Sequence, residues 1–142
     1  PGLHRPFINL AGLLERASRS LLYKGRNNNT YNYNDVAYEY LVESEKVFVE
    51  ATRLPTVITD RRYNTLVRLG VLRLRLGKFI KAAEALKQAI AVKGVTDVTA
   101  LNILATMHIA AGRFDLGIEM LNRVIDKSIK TAQHLKGCYI SF

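Results

Sequence analysis

The chain has 142 residues, 49% of them hydrophobic and 23% charged, a composition that suits one globular domain and is tight for two. Lys and Arg number 21 against 12 acids, for a net charge of +9, which favours polyanionic or acidic partners. The single cysteine, Cys138, excludes a disulfide-built scaffold, and no apolar run approaches the ~18 residues of a membrane span.

Phe7, Leu10, Leu13, Leu14, Ala17, Leu21 and Leu22 recur at helical spacing and predict an amphipathic helix over 7–24. The same stretch is basic from Arg5 to Arg26 with only Glu15 opposed. That pattern also fits an acid-poor organellar targeting segment, although a first structural helix is the simpler reading. The polar run KGRNNNTYNYN, 24–34, predicts a loop. Val36, Tyr40, Val47 and Ala51 then define a second helix over 35–53. Asp35 is placed to cap it, and Leu54-Pro55 to end it.

The alternation from Val71 to Leu76, taken alone, suits a strand. It lies, however, in a turn-free stretch over 62–76 that Gly77 stops. This predicts a third helix, apolar on most sides and therefore sandwiched between neighbours. Helices over 79–92, 98–111 and 114–128 follow, with Gly94 and Gly112 closing the first two. Residues 132–142 read as the start of a seventh helix or a cap.

Residues 74–97 and 109–132 repeat at an offset of 35. Gly77 maps to Gly112, Phe79 to Phe114, Ala82 to Gly117, Leu86 to Leu121, Ala89 to Val124 and Ile90 to Ile125. Small residues at Ala82 and Gly117 predict close helix contact, and Phe79 and Phe114 are expected to seal the base of each turn. A helix–turn–helix period of this length is the mark of stacked units that bury apolar faces against each other. The fold expected is all-α, an α-solenoid of about three helical hairpins plus a terminal helix. It forms a single domain over 1–142, with a divergent hairpin over 1–60, repeats over 61–97 and 98–132, and a further helix or cap over 133–142.

These residues resemble the tetratricopeptide and pentatricopeptide repeat superfamily. Leu69-Gly70, Gly77, Phe79, Ala82, Leu86 and Ala89 match the tetratricopeptide pattern. The 35-residue step, the stretch 98–130 and the opening Arg62-Tyr63-Asn64-Thr65-Leu66-Val67 are similar to pentatricopeptide units. From Asn64 to Gly77 is 13 residues, against 10 from Asn102 to Gly112, so the third helix is almost a turn longer than the fifth. The resemblance implies single-stranded RNA as ligand, each base read by a side chain near the start of a first helix with the last residue of the repeat. By that likeness Asn64 pairs with Asp97, and Asn102 with Ala132, whose side chain has no polar group. The competing reading is that Asn64 and Asp97 cap helices and Asn102 faces solvent.

Nine basic residues lie between Arg61 and Lys93 against one acid, Glu84. Arg68 and Arg75, seven apart, share a helical face suited to phosphate contacts. Between Asp35 and Glu50, by contrast, five acids are opposed only by Lys46, so the charge is patterned. Tyr23, Tyr31, Tyr33, Tyr38 and Tyr40 can stack on bases, anchor a protein or simply pack. His4, His108 and His134 are dispersed without metal-ligand spacing, and His108 reads as a packed side chain. No phosphate loop or nucleophile elbow occurs. Asn28-Asn29-Thr30 satisfies a glycosylation pattern that matters only on the secretory route.

The expectation is a binding module without catalytic activity, metal, cofactor or small-molecule substrate. As the resemblance implies, it works in a mitochondrion (or in a plastid or the cytoplasm) on RNA or within a ribonucleoprotein such as an organellar ribosome. The alternatives are a tetratricopeptide-like scaffold for acidic protein partners and a helical subunit of a larger complex.

Overall fold

The computed structural model describes residues 4–28, 32–54 and 59–140. These form six helices: α1 (His4–Asn28), α2 (Asn32–Arg53), α3 (Thr59–Arg75), α4 (Phe79–Ile90), α5 (Thr99–Ala110) and α6 (Phe114–Ile140). No strand occurs among the described residues. Each helix packs on its neighbours in sequence, most extensively α1 on α2, α3 on α4 and α5 on α6. Among the described residues, no helix is long and apolar enough to cross a membrane.

The stretch 71–75 is helical and Leu76 begins the turn; α3 is sandwiched through its buried residues, although Arg61, Arg62, Asn64 and Arg75 leave it a polar, exposed side. Leu69 and Leu72 join Ala11, Leu41, Val47 and Phe48 in one buried cluster. Tyr63 and Leu66 join Leu86, Ala89, Ala100 and Leu104 in another. One helix thus serves both halves of the core.

Three sequence expectations change. The polar stretch 24–34 is helical over 24–28 and 32–34, and only 29–31 lie outside the described residues. Asp35 consequently sits inside the first turn of α2, where its charge favours the helix dipole, and does not cap it. The seventh helix is the continuation of α6: between Phe114 and Gly137 the chain contains no breaker except Gly117, so nothing stops the helix near Ser128.

The repeat is matched bond for bond at the turns. Lys78 N–H donates to the Arg73 carbonyl at 2.8 Å and Gly77 N–H to that of Leu74 at 3.0 Å. Thirty-five residues on, Arg113 N–H donates to His108 at 2.9 Å and Gly112 N–H to Ile109 at 3.0 Å. Both turns are Schellman closures, and the glycines have φ of 75° and 79°, where a side chain is strained. Phe79 and Phe114 do not seal these turns. They are 64% and 60% exposed, because side chains at the first helical position lean back past the helix end.

Close backbone approach also repeats. A Cβ on Gly70 would meet Leu86 Cγ at 2.8 Å and the Ala82 carbonyl oxygen at 3.5 Å. A Cβ on Gly117 would overlap Ile109 and meet the Ala105 carbonyl oxygen at 3.2 Å. Gly70/Ala82 becomes Ala105/Gly117 one step later, with glycine moved to the other helix. The first pair of helices uses another device. Ser18 Oγ donates to the Ala37 carbonyl at 2.9 Å, and Ser44 Oγ to that of Ala11 at 3.0 Å. All four residues are buried, and the two contacts lie seven residues apart on each antiparallel helix.

Glu45 ties α2 to the α3–α4 turn. Its carboxylate accepts from Arg73 Nε at 3.1 Å and from Lys78 Nζ. Burial acts to raise its pKa, but the bonds from Lys78 and Arg73 outweigh it and hold the group below the ordinary value of 4.5. This stabilisation is therefore complete above pH 4.5 and is lost as pH falls through the lower folded pKa.

Two outcomes follow for urea unfolding curves. Gly70→Ala lowers stability by about 1–2 kcal/mol, since overpacking exceeds the gain in helix propensity, whereas Gly12→Ala, whose Cβ would meet only Arg68 Nη2, the far end of a long side chain, at 3.1 Å, does not. Glu45→Gln costs about 2 kcal/mol at neutral pH and flattens the loss of stability on acidification below pH 4.5.

Candidate functional site

The first helix of each pair contributes to one cleft of about 510 Å³, between the start of α1, the first half of α3 and the entry to α5. Arg5, Asn9, Arg61, Asn64, Arg68 and Asp97 all line it. Three predicted residues, Asn64, Arg68 and Asp97, are thus brought together. Arg75 and Asn102 are exposed and do not line the cleft.

Asp97 takes part in holding the fold through one carboxylate oxygen. That oxygen accepts from Tyr63 Oη at 2.7 Å and from Thr99 N–H, at the start of α5, at 2.8 Å. Tyr63 Oη in turn accepts from Ala100 N–H at 3.0 Å. The Tyr63 bond leads the effects that lower the Asp97 pKa, against opposing burial. Burial is the largest cause pushing the Tyr63 phenol up to about 12. Asp97 thus accepts from the N–H of the first residue of α5, although the N-cap position itself is Val98, and Tyr63 adds a tie between α3 and α5. Asn64 caps nothing, because α3 begins at Thr59 and Asn64 lies in its second turn, exposed.

The register explains why Asn64 and Asn102 part company. Counting in steps of 35 from the matched turns, Asn64 corresponds to Thr99 and Asn102 to Val67. Thr99 and Val67 both line the cleft, but the two asparagines do not occupy equivalent places. Ala132 is exposed on the projecting part of α6.

The basic strip is divided by the fold. Arg73 and Lys78 are paired with Glu45. Arg68 turns back to α1 and α2, its Nη2 3.9 Å from Glu15 and its guanidinium 4.9 Å above the Phe48 ring. Such a cation–π contact contributes about 1 kcal/mol. Arg68 therefore does not share an outward face with Arg75. The exposed cations at the cleft are Arg5 and Arg61, and neither forms an ion pair among the described residues. Below them His4 is buried, with Nε2 3.3 Å from Thr65 Oγ1. Thr65 gives its hydroxyl proton to the Arg61 carbonyl at 2.8 Å, so His4 Nε2 must be the donor to Thr65. Burial first, then Arg61, lowers the His4 pKa and keeps the ring neutral at physiological pH.

Sequence reading missed Arg5, Asn9 and His4 as cleft residues, since nothing local marks which residues of α1 meet α3. A second concavity, an apolar groove of about 950 Å³, lies between α4 and α5. Phe79, Ile80, Met107 and Leu116 line it, with Lys87 and Arg113 among its polar residues. Among the described residues, no group of three or more His, Cys, Asp or Glu side chains is placed to hold a metal ion. Comparison with family models, curated proteins and solved structures finds no match for this chain.

Tyr63→Phe removes both bonds of the hydroxyl at once. It lowers stability by about 1–2 kcal/mol and raises the Asp97 pKa toward its ordinary value, read by carboxyl-carbon NMR titration.

Proposed function

We propose that this chain is a non-catalytic helical-repeat module, stacked as a short α-solenoid, that holds single-stranded RNA along the cleft between α1, α3 and α5. The observation that carries this reading is the charge of that cleft. Among the described residues that line it, Arg5 and Arg61 stand exposed beside Asn9 and Asn64 and, with Arg68, outnumber the single acid, Asp97, which is bonded to Tyr63 and Thr99. The arginines suit phosphates. The two carboxamides offer a donor and an acceptor each to a base edge. The cleft has room for little more than a nucleotide or two and collects the first helix of every pair, as the resemblance to pentatricopeptide units implies. That resemblance also supports a place in a mitochondrion or another organelle, within a ribonucleoprotein such as its ribosome. The second reading, a scaffold for protein partners, is favoured by the apolar groove between α4 and α5.

Fluorescence anisotropy with a labelled single-stranded RNA tests the assignment. Arg5→Glu with Arg61→Glu weakens binding at least about tenfold and reduces the salt slope by about two, with the far-UV circular dichroism unchanged. Equal affinity of parent and double variant would refute RNA binding at this cleft. Arg68→Glu is the wrong probe, because it also disrupts the packing of α1 and α2.

A further inference from the structure

We propose that the groove between α4 and α5 docks an acidic amphipathic helix of a partner protein, with one carboxylate of that helix seated at the α5–α6 turn. The proposal deepens the protein-scaffold reading and does not rest on RNA binding.

The 35-residue step supplies the chemistry. The two Schellman turns are equivalent bond for bond, so the side chains they carry can be compared directly. At the α3–α4 turn, Arg73 Nε, at 3.1 Å, and Lys78 Nζ both donate to the carboxylate of Glu45 on α2. Thirty-five residues on, their places are taken by His108 and Arg113. Arg113 Nε donates to His108 Nδ1 at 2.9 Å, which leaves the imidazole proton on Nε2 as a further donor. Lys87 of α4 adds another cation. Behind the effect of burial, Arg113 and Lys87 both lower the His108 pKa, so the two charges converge on one ring. The acid lining this groove is Glu84. Among the described residues, Glu84, Lys87 and Arg113 form no ion pair. The second turn therefore repeats the donors of the first without the carboxylate that α2 brings to it.

The surroundings identify what carries that carboxylate. Phe79, Ile80 and Leu116 line the groove and are 64%, 80% and 45% exposed, apolar surface that a free anion would leave uncovered. The lining of α4 runs from Phe79 to Lys87, about 12 Å at 1.5 Å per residue, which accommodates about two turns of a docked helix. The carboxylate at the first turn is itself borne on a helix, with Leu41 four residues before Glu45 and Phe48 three residues after it, both buried. A partner helix with the same arrangement satisfies the donors and covers the apolar lining together. RNA would satisfy the cations alone, because bases stack on flat faces, and Ile80, Met107 and Leu116 offer none.

Fluorescence anisotropy with a labelled peptide of residues 35–53, which carries Leu41, Glu45 and Phe48, tests this against the whole chain. The peptide binds saturably. Lys87→Glu with Arg113→Glu in the chain weakens binding at least about tenfold, with unchanged far-UV circular dichroism. Glu45→Gln in the peptide weakens it similarly while leaving the chain untouched, and Arg5→Glu with Arg61→Glu in the chain does not. Absence of saturable binding would overturn the proposal. Binding indifferent to both the Lys87/Arg113 and the Glu45 changes would overturn the carboxylate site and leave the scaffold reading standing. If Lys87→Glu with Arg113→Glu abolished retention of labelled single-stranded RNA and spared the peptide, the groove would belong to RNA and the proposal would fall.

Discussion

Paired helices in this molecule approach at points where one backbone meets another with little or no side chain between them. Everything else is placed by that constraint. Gly70 lies so close to α4 that even a methyl group would meet Leu86 at 2.8 Å. Gly117 is held as tightly against α5, and Ala11, Ser18, Ala37 and Ser44 are all buried between α1 and α2. Close approach lets the larger residues reach across rather than hold the helices apart. Leu69 and Leu72 of α3 then enter one cluster while Tyr63 and Leu66 enter the next. The helix that looked ambiguous in sequence is the one on which both clusters depend.

The same constraint sets the cleft. Because α3 is fixed on α4 at Gly70 and on α2 through Phe48 and Glu45, its first turns stand at a defined place beside α1 and α5. Tyr63 completes the positioning by reaching 34 residues along the chain to Asp97 and 37 to Ala100. A buried phenol with its donor and its acceptor both used is a rigid joint. It aligns the first helices of successive pairs, and its bond to Asp97 favours the ionised form of that carboxylate.

Features that depend on residues close in sequence were legible. Gly77 and Gly112 announced turns that prove identical in hydrogen bonding, and the small residues at Ala82 and Gly117 announced close contact. The strand-like alternation of 71–76 yielded to the longer helical context. Misreadings arose where composition stood in for mechanism. Asn and Tyr between 24 and 34 suggested a loop, yet neither residue type forbids helix, and α1 and α2 extend into that stretch. The recurrence of Phe79 and Phe114 at matched positions suggests packing, but recurrence specifies place, and at the first position of α4 and of α6 both rings are exposed. The buried Ser18–Ala37 and Ser44–Ala11 contacts left almost no trace, because alanine and serine carry little hydropathic signal. In the cleft, Asn64, Arg68 and Asp97 could be named from their neighbours in sequence. Arg5, Asn9 and His4 could not, since their place depends on how α1 lies across α3.

How the cations are distributed decides what the basic character of the chain can mean. Taken as a strip, the nine basic residues between Arg61 and Lys93 look like one electrostatic footprint. In the folded chain they have separate duties. Arg73 and Lys78 neutralise Glu45 and so bind α2 to the following turn, and Arg68 covers Phe48 beside Glu15. Their charge is largely compensated from within, and a passing polyanion would gain little from them. Arg61, with Arg5 from a different helix, has no such internal partner among the described residues and lines the one cleft where three first helices converge. Arg62, Arg75, Lys81, Lys87 and Lys93 are exposed as well and form no ion pair among the described residues, but they lie outside this cleft. What distinguishes Arg61 is that the fold sets it beside Arg5, 56 residues away in the chain, with Asn9 and Asn64 in the same cleft.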